Sequence, residues 1–137
     1  MDGIILTPLK KIPNINGDVL HAMKVSDKGF YGFGEAYFSC INQGVIKGWK
    51  KHNRMTVNLI AILGEIKFVI FNGRNYYDVT LSKNNYQRLT IAPGLWFAFK
   101  GLSKKNILLN LASIEHDPNE SENMNSSDFE YNWKKTK

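Results

Sequence analysis

The chain has 137 residues, 43% hydrophobic and 22% charged, with a formal net charge of +6. That length suits one domain spanning residues 1–137, and that balance lies outside the low-hydrophobicity, high-charge regime of disordered chains. No stretch approaches the about 18 consecutive apolar residues of a membrane helix, because the best run, Val57–Leu63, stops at Gly64 and Glu65. Asp2 comes early and Lys10 and Lys11 follow only a short apolar stretch, which is not the order of a secretory signal. The expectation is therefore a cytoplasmic protein without a membrane partner. The positive charges are scattered, at Lys10/Lys11, 47–54, Lys104/Lys105 and 134–137. No nucleic-acid motif surrounds them, so no nucleic-acid partner is expected. The single cysteine, Cys40, cannot close an internal disulfide and is expected to pack in the core.

Helical periodicity is nearly absent, whereas β-branched and aromatic runs recur at close spacing between Gly, Asn and Pro. The expected strands are 19–24, 31–39, 44–52, 56–63, 66–71, 76–81, 88–91, 95–100 and 107–113. Leu63-Gly64-Glu65 marks a tight bend, Asn72-Gly73-Arg74-Asn75 a hairpin turn and Ala92-Pro93-Gly94 a further turn. After Asp117-Pro118 the composition turns to Asn, Glu and Ser, and residues 120–128 read as a loop or mobile segment in a loop-rich tail, 117–137. Phe129, Tyr131 and Trp133 return at every second position and are expected to dock as a short strand or wrap before a frayed Lys-rich end. The fold class is all-β.

Three segments together carry a family resemblance. Gly44-Val45-Ile46-Lys47-Gly48-Trp49-Lys50 is similar to Gly-Val-Leu-Arg-Gly-Leu-His of the dTDP-4-dehydrorhamnose 3,5-epimerases, a family of the cupin superfamily. Leu63-Gly64-Glu65-Ile66 follows, and Ala92-Pro93-Gly94-Leu95-Trp96-Phe97-Ala98-Phe99 resembles that family's Pro-Pro-Gly-Phe-Ala-His-Gly-Phe, with Leu102-Ser103 and Asp117-Pro118 behind it. The resemblance implies an antiparallel cupin-type jelly-roll barrel, a homodimer, and a nucleotide-linked keto-sugar held in the barrel mouth. It also implies a histidine base, a carboxylate that orients it and an opposing tyrosine acid. The chain departs at each point: Lys50 stands at the histidine position and Asn110 at the tyrosine position. The carboxylate position falls beyond Trp133, where only Lys-Lys-Thr-Lys remains.

Proton transfer beside a ketone needs a base, a positive group for the enolate and an acid on the other face. Lys50, His52 and Arg54 share parity, so an unbroken strand presents all three on one face. His52 is a candidate base because imidazole exchanges protons near neutral pH, and Lys50 is a candidate if positive neighbours lower its pKa. The other reading of this face is a solvated edge. Lys47 aligns with a substrate-contacting arginine of the resembling family, and reaches the same cavity as Lys50 only if Gly48 sits in a bulge. Glu35 and Tyr37 share one face and Asn58 lies within a strand; they line the cavity or face water. Trp96 stacks on a base or sugar, or fills the core. His21 and His116 are lone histidines.

His52 is followed by Asn53 and Arg54, not by the His-x-His pair of metal-binding cupins, so neither a metal nor another cofactor is expected. The function expected is a metal-free epimerase or isomerase of a dTDP-type 4-keto-sugar, in deoxysugar or cell-surface polysaccharide biosynthesis. His52 or Lys50 would be catalytic, with Lys47, Arg54, Glu35, Tyr37, Asn58, Trp96 and Asn110 binding substrate. The alternative is a non-catalytic carbohydrate- or nucleotide-binding cupin that has lost the ancestral residues.

Overall fold

A computed structural model describes residues 1–134. The strands are β1 (Ile4–Pro8), β2 (Lys11–Ile12), β3 (Val19–Leu20), β4 (Glu35–Asn42), β5 (Ile46–His52), β6 (Val57–Leu63), β7 (Glu65–Phe71), β8 (Tyr76–Ser82), β9 (Gln87–Ile91), β10 (Trp96–Gly101), β11 (Lys105–Ala112) and β12 (Ser121–Asn123). Two five-stranded antiparallel sheets form, ordered β1-β9-β6-β11-β4 and β12-β5-β10-β7-β8, with β2 and β3 paired separately. The jelly-roll architecture expected from the sequence is what the chain adopts.

Period-two alternation assigns the faces. In β11, Asn106, Leu108, Asn110 and Ala112 are buried while Ile107, Leu109 and Leu111 are only half-covered. Leu59, Leu89 and Leu108 of the first sheet meet Phe68, Ile70 and Phe97 of the second in one apolar core. Gly64, at φ +80°, turns β6 into β7, and a Cβ there would strike the carbonyl of Lys105. Asn72 closes the next hairpin as expected, its Oδ1 accepting from the amides of Arg74 at 2.8 Å and Asn75 at 2.7 Å.

The outer faces are partly covered by the chain itself. Over β9 and β6, the fully buried Arg88 guanidinium donates to the carbonyls of Ala22 (2.8 Å) and Lys28 (3.0 Å) and to Asp27 (3.2 Å). Residues 21–24 therefore leave the sheet, and the strand expected at 19–24 ends at Leu20. The strand expected from 31 begins at Glu35, because Gly34 runs too close to the backbone of Ile114 and Glu115 to carry a Cβ. On the second sheet, Phe129, Tyr131 and Trp133 pack against Trp49 and Phe71 as a wrap without strand pairing. Residues 135–137 of the expected frayed end lie outside the described residues.

Three further expectations are corrected. β1, unread in the sequence because Pro8 cuts a short apolar run, pairs with β9 along its length. Residues 121–123, expected as loop, form β12 against β5. Cys40 is exposed, not core, since it sits on the outward face of the edge strand β4.

Candidate active site

The site lies between the sheets, where β5 and β10 face β4 and β11. A cavity of about 220 Å³ opens there, and its polar lining includes Tyr37, Ser39, Lys47, Lys50, His52 and Asn110. Its apolar floor is Phe97, Phe99 and Leu108. No carboxylate is among the lining residues, so the cavity is positively charged.

A bulge makes this lining possible. Phe97 pairs with Lys50 and Phe99 with Lys47, so Gly48 and Trp49 together oppose Ala98 alone. The extra residue restores Lys47 and Lys50 to the same face, as the sequence required. Only glycine fits at 48, where a Cβ would collide with Ala98. Trp49 turns outward into the aromatic cluster under the C-terminal wrap. Lys47 is steadied within the wall, its Nζ donating to the carbonyl of Cys40 at 2.9 Å and to Ser39 Oγ at 3.2 Å.

His52 ends β5 and is 8% exposed, its ring lying 6.0 Å from that of Phe97. Its Nδ1 bonds Oε1 of Glu120, which is 3% exposed. The other carboxylate oxygen accepts the amides of Asn53 (3.1 Å), Arg54 (3.0 Å) and Met55 (3.1 Å). Burial alone would push the Glu120 carboxyl up. The amides of Arg54 and Met55 and the His52 ring outweigh it and hold the pKa below the ordinary value. An ionised Glu120 fixes the proton on Nδ1 and leaves Nε2 as the free nitrogen. The sequence reading looked for this carboxylate after Trp133. It sits instead at the end of a short 3-10 turn, Pro118–Glu120, capped by Asp117.

On the facing wall, Asn110 Nδ2 donates to the Tyr37 hydroxyl at 2.9 Å. Asn110 Oδ1 is buried with no partner among the described residues, an acceptor left for a donor from a ligand. Burial foremost, then the charge of Glu35, raises the Tyr37 pKa against the Asn110 hydrogen bond, so the phenol stays protonated at neutral pH.

Four expected residues are not brought to the cavity. Arg54 lies beyond the end of β5, where the chain turns onto Glu120, and its guanidinium pairs with Asp117 at 3.0 Å in solvent. Asn58 faces outward, donating to the carbonyl of Gly29 at 2.9 Å and accepting from Arg88 Nε at 3.0 Å. Trp96 also faces outward, edge-on to Phe129 with ring centroids 5.3 Å apart and with Lys51 over its ring at 5.2 Å. Glu35 shares the face of Tyr37, but its carboxylate accepts the His116 amide at 2.7 Å at the strand end. Among the described residues, no three His, Cys, Asp or Glu side chains group to hold a metal, and no helix is long and apolar enough to cross a membrane.

The model of the WxcM-like, C-terminal (FdtA) family matches residues 5–131. The chain belongs to that family. Among solved structures, a dTDP sugar isomerase from Desulfovibrio desulfuricans G20 is 30% identical, with 99% of this chain and 94% of that one covered and a TM-score of 0.93. The sugar 3,4-ketoisomerase QdtA from Thermoanaerobacterium thermosaccharolyticum, in complex with TDP, is 19% identical over 88% of each chain, with a TM-score of 0.80. The 3'-monoepimerase ChmJ from Streptomyces bikiniensis is 14% identical, covering 93% of this chain and 71% of that one, with a TM-score of 0.83. The last two show the shared fold. No curated protein matches. An FdtA-family chain thus carries a histidine–carboxylate pair in the wall of a cationic cavity.

Proposed function

We propose that this FdtA-family protein is a cytoplasmic isomerase of a dTDP-linked 4-keto-6-deoxy sugar, moving protons between the carbonyl carbon and its neighbour. The observation that carries the reading is the buried His52–Glu120 pair beside Lys47 and Lys50. Its isomerase sense is supported by the family and by the dTDP sugar isomerase at 30% identity.

In this reading, Nε2 of His52 takes the proton from the carbon next to the ketone. The C–H electron pair forms the enolate double bond and the former carbonyl oxygen becomes an oxyanion, which the Lys50 ammonium stabilises. The neighbouring hydroxyl passes its proton to that oxyanion, which moves the negative charge to the neighbouring oxygen. Tyr37, on the facing wall, then delivers a proton to the former carbonyl carbon as the electrons of the neighbouring oxygen close the new C=O, and the proton held by His52 returns through solvent to the Tyr37 phenolate, so the product is an isomer with no net change in protons or electrons. Asn110 Oδ1 accepts a sugar hydroxyl, and Lys47 holds an oxygen of the sugar or the diphosphate. An opposing donor that returned the proton to the carbon next to the ketone from its other face would instead give epimerisation, and a site without reaction would be a binding module.

Proton NMR in deuterated water separates these outcomes, using dTDP-4-keto-6-deoxyglucose with wild type and with His52→Asn. Deuterium entering beside the ketone together with a displaced carbonyl, both absent in the variant, supports the isomerase. Deuterium at an inverted centre with the ketone in place makes it an epimerase. A bound sugar whose ring protons never exchange overturns catalysis on that substrate and leaves the binding module.

A further inference from the structure

The bulge that brings Lys47 and Lys50 to one face is not closed by β10 alone. On its other side Trp49 exchanges both backbone bonds with Met124, its amide donating to the Met124 carbonyl at 2.7 Å and its carbonyl accepting the Met124 amide at 2.8 Å. Met124 directly follows β12, an edge strand of 3 residues paired only with β5. An edge that short has little hold of its own. At one end it is pinned by Glu120 against His52. At the other, the Asn125 amide donates to Asp128 Oδ2 at 2.6 Å and the Asp128 amide to the Asn125 carbonyl at 3.0 Å, a turn that brings Phe129 back over Trp49.

Trp49 is fully buried, yet its indole Nε1 has no partner among the described residues. Packing alone therefore places the ring. Phe129 meets it edge-on at 5.1 Å, and Trp133 and Tyr76 lie farther off, at 6.1 and 6.3 Å. The two cavity lysines differ in what holds them. The Lys47 ammonium is fixed by its own bonds to Cys40 and Ser39. No described residue bonds the Lys50 ammonium, so its place follows from the backbone beside Trp49.

We propose that Trp49 is a positioning residue for Lys50, kept in register by Phe129, so that the C-terminal wrap on the outer face of the sheet places a cation on its inner face. The inference rests on the role given above to Lys50. Removing the Phe129 ring opens space beside an indole held only by packing; Trp49 relaxes into it, and Lys50 is carried away from the developing oxyanion. A misplacement of this kind, remote from the chemistry, can cost about 10²-fold in rate. Lys47 and Asn110 keep their own bonds, so ground-state binding is spared.

Steady-state kinetics with dTDP-4-keto-6-deoxyglucose test it. Phe129→Ala is expected to lower kcat by about 10- to 100-fold with KM within about two-fold of wild type, and Phe129→Leu, which refills the space, to recover most of the loss. In a Lys50→Gln background, Phe129→Ala is expected to cost less than about two-fold, because the group it acts through is gone. Tyr131→Phe is the control: it removes the wrap's 2.6 Å bond to Asp78 but leaves Phe129 on Trp49, and kcat is expected to hold. Amide NMR spectra without substrate read the coupling independently of turnover, with the Gly48 and Lys50 resonances expected to shift in Phe129→Ala while those of β1 stay in place. Unmoved bulge amides, an equal loss of kcat in Tyr131→Phe, or a full Phe129→Ala loss in the Lys50→Gln background would overturn the assignment. Shifted bulge amides with no turnover by wild type would support the positioning of Lys50 and overturn the isomerase reading instead.

Discussion

His52 and Glu120 stand 68 residues apart in sequence and share one buried hydrogen bond, Nδ1 to Oε1. The carboxylate is anchored by three successive amides on its other oxygen, so it cannot follow the histidine if the ring moves. The pair orients the imidazole and fixes its tautomer.

Replacing Glu120 with Gln keeps the shape and removes the charge. The NH2 group then faces either the imidazole or the three amides, so one side of the pair loses its acceptor. We expect kcat to fall by about 10²- to 10⁴-fold with KM little changed, the span usual for a general base put out of register. Steady-state kinetics of Glu120→Gln decide it; a loss confined to KM would make Glu120 a binding residue.

The same carboxylate links stability to pH. Its folded pKa lies below the ordinary value, because the amides of Arg54 and Met55 and the His52 ring overcome the upward push of burial. Its stabilisation is therefore complete above the unfolded pKa and disappears as pH falls through the folded one. Urea midpoints measured from about pH 5 down to pH 3 should drop more steeply for wild type than for Glu120→Gln. Parallel curves would show that another group governs the acid transition.

The strands with strong β-branched and aromatic runs were legible in sequence, as was the Gly48 bulge, because Lys47 and Lys50 have opposite parity. The carboxylate was not, because Glu120 sits in a polar Asn-Glu-Ser segment that reads as loop, and only pairing of β12 with β5 delivers it to His52. Arg54 failed because parity holds only while a strand continues, and β5 stops at His52. Asn58 and Trp96 failed for a different reason: in a two-sheet fold both faces are covered, so a buried polar or aromatic residue need not face the cavity. A Glu two residues after an Asp-Pro pair was the available signal for Glu120, since that pair starts a short turn at a defined place.

Asn58 tests that distinction. Its side chain completes the Arg88 cluster, accepting from Arg88 Nε and from Thr90 Oγ1 at 2.5 Å. Asn58→Ala leaves a buried guanidinium short of an acceptor and should cost about 1–3 kcal/mol or more, while KM for the sugar nucleotide stays at the wild-type value. Chemical denaturation and kinetics on the same variant check both halves, and a raised KM with unchanged stability would return Asn58 to the substrate.

Tyr37 and His52 line facing walls of the cavity, so in the proposed reaction they address opposite faces of the sugar ring. With its pKa raised by burial and by Glu35, the Tyr37 phenol stays protonated at neutral pH and can act as the donor. Removing the hydroxyl should spare the first step, which belongs to His52, and block the second. In Tyr37→Phe we expect deuterium still to enter beside the ketone, while the isomeric product appears about 10²- to 10⁴-fold more slowly, the usual contribution of a positioned acid. Equal losses of exchange and product would make Tyr37 a positioning residue for the sugar. Undiminished product formation would remove it from the reaction and leave His52 to carry the proton across a single face.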